Sequence, residues 1–552
     1  MQLKYTLFSS ISMLAFSSLS VFSQTEKMNV LFLMADDMRP ELGCYGVKEV
    51  KTPNIDRFAA SGLLFQNAYC NIPVSGASRA SLLTGVYPHY PDRFVNYSAY
   101  ASKDCPTAIP ISRWFTSHGY YTISNGKVFH HLSDHANSWS EPPYRKHPDG
   151  YDVYWAEYNK WELWMNEASA RTINPKTMRG PFCEWAEVPD TAYDDGKLAL
   201  KAIADLKRLK EQGKPFFMAC GFWKPHLPFN APKKYWDLYD REKIPVANNP
   251  KTMRGPFCEW AEVPDTAYDD GKLALKAIAD LKRLKEQGKP FFMACGFWKP
   301  HLPFNAPKKY WDLYDREKIP VANNRFRPKD LPNEVKNSTE IYAYARTTTA
   351  DDISFQKEAK HGYYACLSYV DAQIGKVLDA LDELGLANNT IVVLLGDHGW
   401  HLGEHNFLGK HNLMDRSTHV PLIVRVPGLK KGKTKSMVEF VDLYPTLCEL
   451  CHLPIPKNQL DGTSFVPILT NLKAKIKDQV YIQWEGGDNA VSNRYNYAEW
   501  KQKEKIHSRM LFDHHIDPEE NKNRVNERKY RSEINKLSSF LKAKKETLMK
   551  SQ

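Results

Sequence analysis

Beyond its first residues the chain never sets eighteen apolar residues in a row, which excludes a membrane-spanning helix from that long remainder. Cysteine is sparse: ten are scattered through 552 residues, so no disulfide framework can be read from them. Cys448 and Cys451 form a C-x-x-C with no second pair, in a segment of helical apolar pattern that runs up to a Pro-bounded turn. Two buried helix cysteines are expected there, not a zinc or redox site. An acidic excess is also missing. The formal charge is +11, but fourteen Lys and Arg follow Trp500, where they alternate with acids in a helix-like tail. Such a pattern is a solvated face, so no nucleic acid partner is expected, while a mildly basic protein suits a polyanionic substrate.

At the start, Lys4 heads an apolar run through Phe22, and Ser20 and Ser23 are spaced like a cleavage site. Residues 1–23 are expected to be a secretory signal peptide, with the mature chain beginning near Gln24 in a secreted or periplasmic location and without stable membrane insertion. With 42% hydrophobic and 25% charged residues, the remainder can bury one large α/β domain and a smaller companion.

Residues 175–249 recur without a single change as residues 250–324. Solenoid repeats have shorter periods, several copies and drift at exposed positions, because packing constrains only inward residues. Identity at every surface Lys and Glu means either a recent tandem duplication of the coding sequence or an error of sequence assembly, and in both cases the fold should be read from the chain with one copy removed. That leaves 477 residues and a formal charge of +8, since each copy holds thirteen basic and ten acidic residues.

Ala199, Ala202, Ile203 and Leu206 fall on one helical face, E-Q-G-K-P breaks that helix, and the apolar run FFMACGFW follows. NVLFLMADD near residue 29 and TIVVLLGDHG near residue 390 are continuous apolar runs of the kind buried parallel strands require. The fold expected is α/β: a large mixed, mostly parallel sheet flanked by helices over residues 24–470, then a smaller C-terminal α+β subdomain with a basic helical tail over 471–552. Ligands gather beyond the carboxyl ends of such strands. Asp36 and Asp37 close one run, and Asp397 and His398 close the other. Singly, such acids are caps or turns; together they resemble a metal cradle. Three carboxylates favour a hard cation, calcium before magnesium, whereas a zinc site would want clustered His or Cys. His398 would be an atypical ligand that could instead face the nucleophile or substrate.

Ser75 precedes a short amphipathic helix whose N-terminal amides could stabilise an anion, the plain alternative being a helix N-cap. The run S-G-A-S-R-A-S-L-L-T-G from Ser75 to Gly85 resembles the signature of formylglycine-dependent sulfatases, with Ser where Cys is more widespread and Ala77 where Pro is commoner. G-K-V-F-H offers Lys127 and His130, F-W-K-P-H-L-P-F offers His226 in the first copy or His301 in the second, and G-K-H-N-L-M-D-R-S-T-H-V-P-L offers Lys410. In this order the motifs resemble the iduronate-2-sulfatase-like branch and imply its alkaline-phosphatase-like fold.

The resemblance implies that Ser75 is oxidised to formylglycine by a maturation enzyme that accepts Ser, and that Asp36, Asp37, Ser75, Asp397 and His398 surround one calcium ion. It further implies that Arg79 holds these ligands, that Lys127 and Lys410 face the sulfate, and that His226 or His301, with Lys410, lies at the leaving-group side and favours protonation of its oxygen. His130 would take a proton when sulfate is expelled. The substrate implied is a sulfated carbohydrate. Two other readings stay open: a phosphodiester or phosphonate monoester hydrolase of the same superfamily, and a catalytically silent binder of sulfated glycans. Tyr90, Trp155 and Trp484 could stack on sugars, although a core role is expected for each.

Overall fold

The computed structural model describes residues 27–144, 258–341 and 351–550 apart from positions 303, 457 and 504, together with two short strands, Cys183–Ala186 and Phe229–Pro232. The expected signal peptide, the first-copy helix around Ala199, Trp155 and His226 lie outside the described residues.

Seven strands make the main sheet: β1 (Asn29–Ala35), β2 (Leu63–Tyr69), β3 (Tyr121–Gly126), β4 (Phe291–Phe297), β5 (Thr390–Gly396), β6 (His419–Arg425) and β7 (Gly432–Glu439). Their order across the sheet is β7-β2-β6-β5-β1-β4-β3. All run the same way except β6, which is antiparallel to both β2 and β5. Every residue of β1 is buried because both faces are covered: Val30, Phe32 and Met34 enter one core, and Leu31, Leu33 and Ala35 the other. That is why the strand reads as an unbroken apolar run. Burying each of the larger of these side chains stabilises the fold by roughly 1.5–3 kcal/mol, so Leu33→Asp would break the sheet at its centre.

The main flanking helices are α1 (Pro53–Ser61), α2 (Ser75–Thr84), α3 (Asp269–Gln287), α4 (Ile353–Glu383) and α5 (Leu443–Leu450). α1, α3 and α4 cover one face of the sheet, and α2 and α5 cover the other. α3 shows how sequence sets its bounds. Asp269 and Asp270 sit in its first turn, where the helix dipole favours negative charge. Leu273, Ala274, Ala277, Leu281 and Leu284 form its buried stripe, and Gly288, at φ 62°, ends it in the left-handed conformation. These are the second copy's equivalents of the helix expected from the first.

β4 comes from the second copy, and it holds the place in the sheet between β1 and β3. Both copies also make the same small parallel pairing in the same register, Cys183 opposite Phe229 and Cys258 opposite Phe304.

The C-terminal part is an antiparallel sheet of β8 (Gln479–Trp484), β9 (Gly487–Ser492), β10 (Tyr495–Gln502) and β11 (Lys505–Asp513). On it lies α6 (Arg531–Lys550), whose Ile534, Leu537, Leu541 and Leu548 pack with Tyr481, Ala490, Tyr497 and Leu511. The helix-like basic tail expected after Trp500 is thereby corrected in part: six of its fourteen Lys and Arg lie in this docked helix, and the other eight lie in the last two strands, the turn between them and the loop before the helix. Cys448 in α5 and Cys451 just beyond it are buried free thiols, as expected. Among the described residues no helix is long and apolar enough to cross a membrane.

Candidate active site

The register of four adjacent parallel strands delivers the site. Ala35 lies opposite both Gly396 and Phe297, and Gly126 lies opposite Gly296, so β5, β1, β4 and β3 end at nearly one level. The residues that follow are Asp397 and His398, Asp36 and Asp37, His301, and Lys127. Close strand approach depends on glycine here: a Cβ on Gly296 would sit 1.8 Å from the Lys127 carbonyl oxygen. Asp37 adopts φ 60°. Its carbonyl accepts from the Tyr363 hydroxyl at 2.9 Å, and its amide donates to Asp397 Oδ1 at 3.1 Å.

Asp36, Asp37, Asp397 and His398 are all fully buried, and each offers a donor atom within 4.8 Å of the others. His398 Nε2 lies 3.3 Å from Asp37 Oδ1 and 3.5 Å from Asp397 Oδ1. Asp37 Oδ2 is buried with no hydrogen-bond partner among the described residues. Such an atom needs a positive neighbour, and a hard divalent cation among these oxygens supplies one, so the residues present fit a metal.

Ser75 is the first residue of α2; Val74 occupies the N-cap. The N-cap alternative is thereby corrected: the Ser75 hydroxyl donates to Asp36 Oδ1 at 2.9 Å and also lies 2.9 Å from His398 Nε2. The expectation of an amphipathic helix is corrected too, because all ten residues of α2 are buried between the sheet and its neighbours. Gly76 permits this, since a Cβ there would collide with the Tyr97 carbonyl. One turn on, Arg79 Nε donates to Asp397 Oδ2 at 2.8 Å, and Nη1 donates to the Lys127 and Val128 carbonyls. Lys127 Nζ donates to Asp36 Oδ2. Burial pushes the Asp36 carboxyl up, but Lys127, His301, Arg79 and Lys410 outweigh it and hold the group well below the usual carboxylate range.

On the opposite side, Lys410 Nζ donates to Asp37 Oδ1 at 2.7 Å. Burial lowers this ammonium, yet Asp37, Glu340 and Asp36 raise it further, so it stays charged. His301 Nε2 lies 3.9 Å from Asp37 Oδ2, and its Nδ1 meets the Leu302 carbonyl at 2.6 Å. His130 is half-buried beside His131, and burial, then Lys127 and His131, pull it well below its ordinary value. The structure thus gathers Asp36, Asp37, Ser75, Arg79, Lys127, His301, Asp397, His398 and Lys410 at one place. Sequence reasoning missed Glu340, whose carboxylate lies 3.2 Å from His301 Nε2 and 3.3 Å from Lys410 Nζ. Trp484 is buried and stacks on His411 with ring centroids 5.2 Å apart, whereas Tyr90 is 47% exposed, against the core role expected of it.

A serine flanked by Arg79 and Lys127, with Lys410 and an imidazole across from it, suits cleavage of an ester whose central group is a tetrahedral oxyanion, so the fold and site define an ester hydrolase. The Sulfatase family matches residues 28–260 and 246–453, and the family of N-sulphoglucosamine sulphohydrolase C-terminal domains matches residues 403–547. The chain is 32% identical over 476 residues to the iduronate 2-sulfatase of Homo sapiens, an alignment covering 79% of this chain and 70% of that one. A solved structure in complex with its substrate D-glucosamine-2-N,6-O-disulfate superposes with TM-score 0.62 at 18% identity, covering 95% of this chain and 99% of the other. The phosphonate monoester hydrolase of Agrobacterium radiobacter superposes with TM-score 0.63 at 22% identity, covering 94% and 96%. The chain belongs to the sulfatase family. It is a sulfuric ester hydrolase with an alkaline-phosphatase-like fold.

Proposed function

We propose that the protein is exported and removes sulfate from a carbohydrate, with Ser75 as the precursor of a formylglycine nucleophile and calcium held by Asp36, Asp37, Ser75, Asp397 and His398. The observation that carries this reading is the Ser75 hydroxyl, 2.9 Å from both Asp36 Oδ1 and His398 Nε2 and set among the buried metal-type ligands. When bound, the cation and the formylglycine supply positive charge and an activated oxygen nucleophile. Conversion of Ser75 requires a maturation enzyme that accepts Ser.

Arg79 fixes Asp397 and the Lys127 carbonyl, which keeps the ligand cluster in register with α2. Lys127 and Lys410 offer charge to the peripheral oxygens of the sulfate, where negative charge is concentrated. The departing sugar alkoxide needs a proton, which His301 Nε2 gives from the more open side of the pocket, with Lys410 beside it lending charge to the same oxygen. His130, kept neutral by burial, accepts a proton on the nucleophile side. We assign this role to His301, which follows β4 of the second copy and lies 3.9 Å from Asp37 Oδ2. The name of the human relative and the disulfated glucosamine bound in the superposed structure both support a sulfated sugar as substrate.

The test is release of inorganic sulfate from sulfated mono- and oligosaccharides by protein produced with a Ser-accepting maturation enzyme, beside aryl phosphonate and phosphodiester controls. Sulfate release with the higher kcat/KM is expected. Faster turnover of the phosphorus esters, or glycan binding by matured protein without any sulfate release, refutes the reading.

A further inference from the structure

Glu340 belongs to neither the strand ends nor any sequence motif, yet its two carboxylate oxygens reach the two cationic groups of the leaving-group side, His301 Nε2 at 3.2 Å and Lys410 Nζ at 3.3 Å. Its backbone is tied down on both sides. The Glu340 amide donates to Ser338 Oγ at 3.3 Å, and Ser338 Oγ in turn meets His411 Nδ1 at 3.1 Å. Asn337 donates to the Asn406 carbonyl and accepts from the Leu408 amide, and Ile341 is fully buried in the core. The loop is therefore fastened to the segment that carries Lys410.

The His301 ring is pinned at both nitrogens. A carbonyl can only accept, so Nδ1, 2.6 Å from the Leu302 oxygen, carries a hydrogen. Nε2 is left between Glu340 Oε1 at 3.2 Å and Asp37 Oδ2 at 3.9 Å. Lys410 is divided in the same way between Asp37 and Glu340. Glu340 is thus the counterweight to Asp37: without it, both cationic groups face one carboxylate that the metal cluster also uses.

We propose that Glu340 is a positioning residue that holds the His301 imidazole and the Lys410 ammonium side by side, so that proton and charge meet the departing oxygen together. This rests on the roles given above to His301 and Lys410. Burial raises the Glu340 carboxyl, but Lys410 and His301 hold it well below the usual carboxylate range, so it remains the negative partner of both.

The consequence depends on the leaving group, because a good one departs without help. Matured Glu340→Ala and Glu340→Gln would be assayed on 4-nitrophenyl sulfate and on a sugar sulfate, and the crystal structure of Glu340→Ala determined. For Glu340→Ala, kcat on the sugar sulfate should fall about 30-fold, with KM and the aryl sulfate rate changed by less than about threefold. Glu340→Gln should recover part of the loss, since its amide oxygen still accepts from one partner. In the crystal, His301 or Lys410 should turn toward Asp37. Equal losses on both esters, no loss, or a gain that would make the carboxylate an obstruction to sulfate each overturn the proposal. If wild type releases sulfate from neither ester, the functional reading fails by itself, and the crystal decides the positioning role: unmoved His301 and Lys410 overturn it.

Discussion

Asp36, Asp37, Asp397 and His398 leave directly from the ends of β1 and β5 and have no exposed side-chain surface, whereas His301 and Glu340, across the pocket, are 17% and 21% exposed and come from loops. On the proposed reading, the nucleophile side is buried and set by strand register, while the leaving-group side is partly exposed and set by loop anchoring. A residue at a strand end is fixed by a ladder of backbone hydrogen bonds, so a register that buries the sheet also assembles the candidate metal ligands. A loop residue needs its own anchors, which Ser338, Asn337 and Ile341 provide for Glu340.

The largest expected effect is on the buried side. Asp397→Asn removes the charge of a proposed metal ligand and of the partner of Arg79, and should cost about 10³-fold in kcat on aryl and alkyl sulfates alike, since cation and nucleophile serve every ester. Chelation should likewise abolish turnover and lower the thermal midpoint, with calcium restoring both. Steady-state rates on the two ester classes check this, and a loss confined to alkyl sulfates would merge the two sides.

Lys410→Ala is the matching probe of the open side. It should lower alkyl sulfate turnover about 10²-fold but aryl turnover less than about tenfold, because poorer leaving groups depend more on charge and proton assistance. Equal losses in the same two assays would place Lys410 with the nucleophile.

A smaller effect tests the support behind Lys410. Glu520 Oε2 accepts from the Asp415 amide, and its Oε1 lies 2.9 Å from His514 Nε2, clamping the segment after Lys410 to the C-terminal sheet. Burial lowers the His514 imidazole, but Glu520, Asp415 and Asp517 raise it to about 9. A raised folded-state value makes this contribution full below pH ~6.5 and lost as pH climbs through ~9, on the order of 3 kcal/mol. Denaturant titrations of wild type and His514→Gln at pH 6 and pH 9.5 should show their stability difference shrinking at the higher pH; a constant difference removes the clamp.

The smallest effect expected concerns the duplication. Deleting either 75-residue copy leaves the same 477-residue sequence, and one copy offers the β4 strand and the histidine that the second copy provides here. Specific activity should stay within about twofold, because catalysis needs one correctly placed imidazole. Loss of activity on deletion, with the full-length protein active and monodisperse, would give the second copy a structural role of its own.

The nucleophile side was largely legible in the sequence. NVLFLMADD and TIVVLLGDHG announce two buried strands and the acids that close them, and residues fixed by register need no further information. The parallel sheet, the smaller C-terminal part and the buried Cys448 and Cys451 followed from the same kind of pattern. The direction of β6 did not, because an apolar run such as VPLIV looks the same whichever way it enters a sheet. Ser75 is marked by its motif, with a cap as its plain alternative, since only packing shows its hydroxyl turned toward Asp36. Glu340 left no signal: one carboxylate in a polar loop has no period, and its meaning arises only when Ile341 and Ser338 seat it between His301 and Lys410.

The account turns on Ser75 as the source of the nucleophile. The most direct measurement is the mass of the tryptic peptide Phe58–Arg79 from protein purified from the native host. Oxidation of the Ser75 hydroxyl to an aldehyde removes two hydrogens, and the account predicts a peptide lighter by that amount, or its hydrate, in preparations that release sulfate. Full activity in a preparation whose peptide retains unmodified serine would contradict it.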